Sequence, residues 1–175
     1  MSGLHLRLAT DADAPALREI YAPYVERSAV SFEEVVPGVE EFAGRIRESN
    51  ERWAWVVAEL TGDPVGYAYG SSHRKRSAYR WSVEVSAYVR EDFQRRGIAR
   101  ALYGELFARL ADRGFCNAYA GIALPNDASL ALHRALGFTD IGVFPRVGRK
   151  FGVWHDVAWL HRALRESPPT EPHER

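Results

Sequence analysis

Residues 81–113 read WSVEVSAYVREDFQRRGIARALYGELFARLADR, and three signals in this stretch decide the fold. Val83, Val85, Ala87 and Val89 alternate with Ser82, Glu84, Ser86 and Tyr88, the period of a strand with one apolar and one polar face. A basic turn containing Gly97 follows. After it Ile98, Leu102, Leu106 and Leu110 recur at every fourth position, the stripe of an amphipathic helix, and Gly114 supplies its stop. At the N-terminus of that helix, free N–H groups and the helix dipole favour an anion, and Arg95 and Arg96 add charge. Glu84 is a lone carboxylate on the adjacent strand. The combination predicts an enzyme that uses a phosphorylated cofactor, although alternation alone makes Glu84 a surface charge.

Upstream, LHLRLA at 4–9 alternates like a first strand. Thr10 or Asp11 offers an N-cap, and Pro15 lies near the first turn of a helix carrying Leu17, Ile20, Tyr21 and Tyr24. An irregular segment at 28–37 contains Phe32, and a second helix carries Val39, Phe42 and Ile46. WAWVVAEL and VGYAYG, divided by Thr61-Gly62-Asp63-Pro64, form an expected antiparallel hairpin. The cluster His73-Arg74-Lys75-Arg76 reads equally as a solvated loop or as a site for an anionic substrate group. Downstream, NAYAGIAL is another strand, and Pro125-Asn126-Asp127 opens a helix that ends at Leu136-Gly137-Phe138. Asn126, Ser129 and His133 share one stripe of that helix. VFPRVGRKFG suggests a turn-rich return before a last strand in WHDVAWLHRAL. Residues 166–175, SPPTEPHER and the Glu before it, have no apolar pattern and are expected to be disordered.

A chain of 175 residues is long enough for one domain with its own core, here residues 1–165. Strands alternating with helices, hairpins included, predict an α/β or α+β sheet of mixed direction. The formal net charge is zero, so no global field draws nucleic acid or an anionic membrane. The single Cys116 excludes an internal disulfide and a cysteine-based zinc site. The six histidines show no metal-binding spacing, so no metal is expected. Phosphate-loop, dinucleotide-fingerprint and GxSxG motifs are missing. Without an apolar run of about 18 residues or a signal-peptide layout, no membrane span is expected and the location is read as cytoplasmic.

Gln94-Arg95-Arg96-Gly97-Ile98-Ala99 resembles the Q/R-x-x-G-x-G/A loop of the GNAT superfamily of N-acetyltransferases. The order strand, loop, long helix, strand, and Asn-containing helix ending in Leu-Gly-Phe is similar to that family across about residues 4–164. Ala99 departs from the glycine form of the third position. Ala78-Tyr79-Arg80-Trp81 before Glu84, the Leu124-Pro125-Asn126-Asp127 turn, and Lys150-Phe151-Gly152 before Trp154-His155-Asp156-Val157 resemble the phosphinothricin and methionine sulfone or sulfoximine N-acetyltransferase subgroup. The resemblance implies the GNAT fold, a mostly antiparallel mixed sheet of about seven strands flanked by about four helices.

It also implies acetyl-CoA as acetyl donor, a small amino-acid-like amine as acceptor, direct transfer, and a homodimer. Glu84 falls at the family's general-base position. His133 stands where many relatives hold a tyrosine near the coenzyme sulfur, and Tyr103 is a competing acid. Ala87, Tyr88 and Val89 would hold the thioester and pantetheine, and Gln94, Arg95, Arg96, Gly97, Ile98 and Ala99 the pyrophosphate. Asn126 and Ser129 would also contact the cofactor. Arg74, Arg76 and Tyr79 would hold the substrate's anionic groups, with Phe32 lining the pocket. Two rival readings are an acetyltransferase acting on protein amines and a non-catalytic acyl-CoA sensor.

Overall fold

The computed structural model describes residues 3–168, so the expectation for the tail falls outside them from residue 169 onward. The elements in chain order are β1 (Leu4–Leu8), α1 (Ala14–Glu26), α2 (Val39–Arg52), β2 (Trp55–Leu60), β3 (Asp63–Ser72) and β4 (Ser82–Val89). They continue with α3 (Ile98–Asp112), β5 (Asn117–Ala123), α4 (Asp127–Ala135), β6 (Thr139–Lys150) and β7 (Val153–Ala163). Short 3₁₀ turns at Asp11–Asp13, Ser77–Tyr79 and Glu91–Phe93 connect them. The seven strands form one sheet in the order β1-β2-β3-β4-β5-β7-β6. Every neighbouring pair is antiparallel except β4 and β5.

Local chemistry explains the turns. Thr61 and Gly62 both have positive φ, 52° and 90°, as a two-residue hairpin between twisted strands requires. Thr10 starts a 3₁₀ turn rather than α1 itself, and Pro15 lies in the first turn of α1. The Asp13 carboxylate that closes this turn accepts from the Thr10 N–H at 2.7 Å and from two Arg7 nitrogens. Arg7 also pairs with Glu59 on β2. The Arg7 guanidinium holds the Asp13 carboxyl below its ordinary range, more strongly than burial raises it.

Two cores sandwich the sheet. Ile98, Leu102, Leu106 and Leu110 of α3 pack with Val83, Val85 and Val89 of β4 and Val56 of β2 on one face. On the other, Leu17 and Tyr21 of α1 and Phe42 and Ile46 of α2 pack on Trp55, Tyr67 and Tyr88. The polar face expected for residues 81–89 is therefore covered. Tyr88 is buried beneath α1, and Glu84 is only partly exposed. The strand's short polar side chains hid this second layer, because the apolar area covering them comes from α1 and α2.

A second difference lies at the C-terminal end. The turn-rich return is in fact a 12-residue strand, β6, which pairs with β7 as a long hairpin. Pro145 and Gly148 mark a bulge, with a register break between Phe144 and Gly148 and a left-handed φ of 49° at Arg146. Proline and glycine inside a strand signal such bulges as readily as strand ends. Among the described residues no helix is long and apolar enough to cross a membrane.

Candidate active site

The site begins where the parallel pair comes apart. Strands β4 and β5 pair only at Ser82–Asn117, Val83–Ala118 and Glu84–Tyr119, while β4 runs on to Val89 and β5 to Ala123. Beyond Glu84 the two strands diverge. The Arg90 N–H donates to Val65 O on the β3 side at 2.9 Å. Backbone direction alternates along a strand, so the amide groups of Val85, Ala87 and Val89 face the gap. A buried strand edge needs partners for these groups, and a ligand carrying amides could supply them.

The gap is a cavity of about 520 Å³. Its walls include Ala87, Tyr88 and Val89 from β4, Gln94, Arg95, Gly97, Ile98 and Ala99 at the α3 end, and Asn126, Ser129 and His133 from α4. Nearly every residue expected to touch the cofactor thus meets here. Arg96 does not. Its guanidinium lies over the Phe93 ring, 4.9 Å from the centroid, outside the cavity wall.

The loop is shaped for an anion. Gly97 has φ 77°, Arg95 has φ 60°, and no side chain caps the start of α3. Left-handed backbone turns successive N–H groups inward, and glycine adopts it without the strain of a Cβ. The first N–H groups of α3 lack intrahelical partners. Gln94 is held from the far side by Tyr24, whose hydroxyl accepts from Gln94 Nε2 at 3.0 Å and donates to Val89 O. Tyr24 also lines the cavity. The sequence placed it in the apolar stripe of α1 and gave no local sign of this bridge.

On α4, Asn126 is the N-cap, its Oδ1 accepting from the Ser129 N–H at 3.1 Å. His133 is buried, with Nδ1 2.8 Å from the Ser129 carbonyl and Nε2 3.1 Å from the Tyr103 hydroxyl. A carbonyl only accepts, so Nδ1 carries the proton and Nε2 accepts from Tyr103. Burial pushes the His133 imidazole below its ordinary range and the buried Tyr103 phenol above its own. Both residues line the cavity, and their spacing on α3 and α4 gave no hint that they touch.

Glu84 stands at the branch point of the strands, its side chain 31% exposed. It flanks the cavity wall at Val85 without forming part of it. On its other side Ser71, its register partner on β3, lines a second hollow of about 350 Å³ with Tyr69 and Trp55. Desolvation raises the Glu84 carboxyl above the usual range, against the opposing pull of His73 and Arg74. His73 Nδ1 lies 3.0 Å from Glu84 Oε1. The sequence reading grouped His73 with its basic neighbours and did not connect it to Glu84.

The residues expected to hold substrate are less gathered. Arg74, Arg76 and Tyr79 are exposed on the β3–β4 connection, outside the walls of both hollows. Tyr79 meets the His73 ring at 5.8 Å, and Arg74 is near enough to influence Glu84. Phe32 lies 6.1 Å from His155 and directly over Gly148. Lys150, buried at the end of β6, donates to Ser31 O at 2.6 Å and so fastens the same segment.

The family model for the acetyltransferase (GNAT) domain matches residues 6–159. A phosphinothricin N-acetyltransferase from Streptomyces viridochromogenes is 37% identical over 169 residues, 97% of this chain and 92% of the relative. An L-methionine sulfoximine/L-methionine sulfone acetyltransferase from Salmonella typhimurium is 33% identical, covering 92% of this chain and 95% of its own length. Among solved structures, a GNAT superfamily phosphinothricin acetyltransferase from Sinorhizobium meliloti in complex with acetyl-CoA superposes with a TM-score of 0.91. It is 38% identical, and the match covers 98% of this chain and 94% of that one.

Proposed function

This chain belongs to the GNAT acetyltransferases and is an N-acetyltransferase that uses acetyl-CoA as donor, and from that premise we propose that its acceptor is the primary amine of a small amino-acid-like molecule of the phosphinothricin or methionine sulfone and sulfoximine type. The observation that carries this reading is the split between β4 and β5, with Glu84 at its apex and the α3 N-terminus at its mouth. Relatives named for those substrates align along nearly the whole chain.

Bound acetyl-CoA supplies a thioester carbonyl that an amine can attack. The gap-facing amides of Ala87 and Val89, with Tyr88 between them, hold the donor's arm and polarise that carbonyl. The left-handed turn at Gln94, Arg95 and Gly97 and the first turn of α3 at Ile98 and Ala99 take the pyrophosphate. Arg96 contributes charge from outside the wall. Asn126 and Ser129 border the donor from α4.

Glu84 is the general base. An amino acid's amine arrives as an ammonium, and one proton must leave before nitrogen can attack. Desolvation makes the Glu84 carboxylate a stronger base than an exposed glutamate. Transfer then forms the amide C–N bond and breaks the C–S bond, with no acyl-enzyme. The departing sulfur takes a proton from the Tyr103–His133 pair. The Tyr103 proton is the one not held by a backbone carbonyl. Passing it to sulfur breaks its bond to His133 Nε2, and the phenolate left behind is reprotonated through solvent, which receives in turn the proton taken by Glu84. Arg74, Arg76 and Tyr79 supply cationic and hydroxyl partners for the substrate's acidic groups, and Phe32 covers it from the α1–α2 side.

The enzyme acts as a homodimer in the cytoplasm. The β6–β7 hairpin exposes Ile141, Val143, Val147, Val153 and Trp154, apolar surface of the kind that marks an association face.

The test is release of free thiol from acetyl-CoA over an amine panel of phosphinothricin, methionine sulfone, methionine sulfoximine and a histone-like peptide. Turnover of the amino-acid analogues with little of the peptide is expected. Turnover of the peptide alone, or of nothing, would remove the assignment.

A further inference from the structure

Within the basic cluster at 73–76, His73 is set apart by its burial. Its side chain is 14% exposed, whereas Arg74, Lys75 and Arg76 are all solvent-facing. The imidazole lies flat on the Tyr119 ring, with centroids 4.4 Å apart and planes 11° from parallel. The rings of Tyr79 and Trp159 meet it at steep angles, at 5.8 and 6.3 Å. Held on these sides, the ring has little freedom to turn, and its Nδ1 is 3.0 Å from Glu84 Oε1.

We infer that His73 is a positioning residue for acetyl transfer, which fixes the Glu84 carboxylate through one oxygen and leaves the other to take the substrate's proton. The inference rests on Glu84 being the base. A glutamate has three rotatable side-chain bonds, and a partly exposed one without a fixed partner samples several rotamers. A fixed partner on Oε1 selects one of them, and misplacement of a reacting group by about 1 Å can cost roughly a hundredfold in rate. The proton count balances simply. One substrate N–H bond breaks, one O–H bond forms at Glu84 Oε2, and His73 keeps its own proton on Nδ1.

The hydrogen bond has a second consequence. A donor on a carboxylate favours the ionised form, and here it opposes the desolvation that raises Glu84. The other titratable or charged groups facing this pair are Arg74 and Tyr79 on its own connection and Tyr69 on β3. Tyr119 lies on β5, and behind it His161 on β7 is held by Asn117 at 2.9 Å. None of these donates to Glu84 Oε1 in place of His73. Removing the imidazole therefore leaves desolvation less opposed, and Glu84 is protonated at higher pH.

The experiment follows kcat for phosphinothricin acetylation against pH in the full chain and in His73→Phe, His73→Asn and Glu84→Gln. Phenylalanine keeps the stack on Tyr119 without the donor, and asparagine places an amide nitrogen near the former Nδ1. His73→Phe should lose roughly 10- to 100-fold in kcat, with its acid limb moved to higher pH and the KM for acetyl-CoA unchanged. His73→Asn should recover most of the rate and return the limb toward its original position. If Glu84→Gln collapses while His73→Phe keeps the parent kcat and acid limb, the inference fails and the base assignment stands. A Glu84→Gln enzyme with normal turnover would overturn both.

Discussion

At Tyr103 and His133, a hydrogen bond inside the protein bears on which of the two proposed acids could give up a proton. His133 holds its Nδ1–H on the Ser129 carbonyl and accepts at Nε2 from Tyr103, so of the two proposed acids Tyr103 has the proton that can leave, once its bond to His133 breaks. Tyr103→Phe should lower kcat by about 10²-fold or more, in the range of a lost general acid. It should also destabilise the fold by about 1–3 kcal/mol, because a buried nitrogen loses its partner. A variant with full kcat and only the stability loss would make the pair structural. His133 carries a pH signature too. Its folded pKa is depressed, so its contribution to stability is present above the unfolded value near 6.5 and is lost as pH falls through the folded one. Denaturant midpoints of the parent should therefore drop more between pH 7.5 and 5 than those of His133→Gln, and parallel curves would count against a neutral buried imidazole. From spacing alone Tyr103 suits the core and His133 a wet helix face, and only the resemblance proposed a chemical role for them. Their pairing depends on α3 and α4 meeting across the cavity, which no local spacing reports.

At the level of elements, the clear pieces were those whose periodicity is undiluted, above all α3 with its four-residue stripe. The β4–β5 divergence was not legible, because both strands alternate normally and no local signal marks that their pairing stops at Glu84 and Tyr119. The β6 bulge was misread for a related reason, since its glycine serves a contact far away in sequence. A Cβ added at Gly148 would stand 2.1 Å from the Phe32 ring. Gly148→Ala should displace that ring, at a cost of about 1–3 kcal/mol by overpacking. With Phe32 moved and the Lys150–Ser31 tether strained, the KM for the amine should rise while that for acetyl-CoA stays near its parent value. Equal rises in both constants would argue that the 28–37 segment has no special role in holding the acceptor.

For the whole molecule, one sheet carries the cavity proposed for the donor at the β4–β5 split and the apolar β6–β7 hairpin at its edge. Light scattering should report two chains per particle, and Val143→Asp with Val153→Asp should shift the mass toward one. A parent that scatters as a single chain at micromolar concentration would remove the dimer. The fold class could be read from the sequence because residues 81–113 hold a strand, an anion loop and a helix in one run. Glu84 was harder, since alternation made it a surface charge and only family resemblance made it a base. Its partly buried position, beside the cavity and next to a second hollow, raises its carboxyl, which is what the proposed role would use. The most direct test is the kcat of Glu84→Gln with phosphinothricin from pH 6 to 9, beside its dissociation constant for acetyl-CoA. The account predicts a loss of about 10²-fold or more in kcat with donor binding unchanged, whereas near-parent turnover across that range would contradict it.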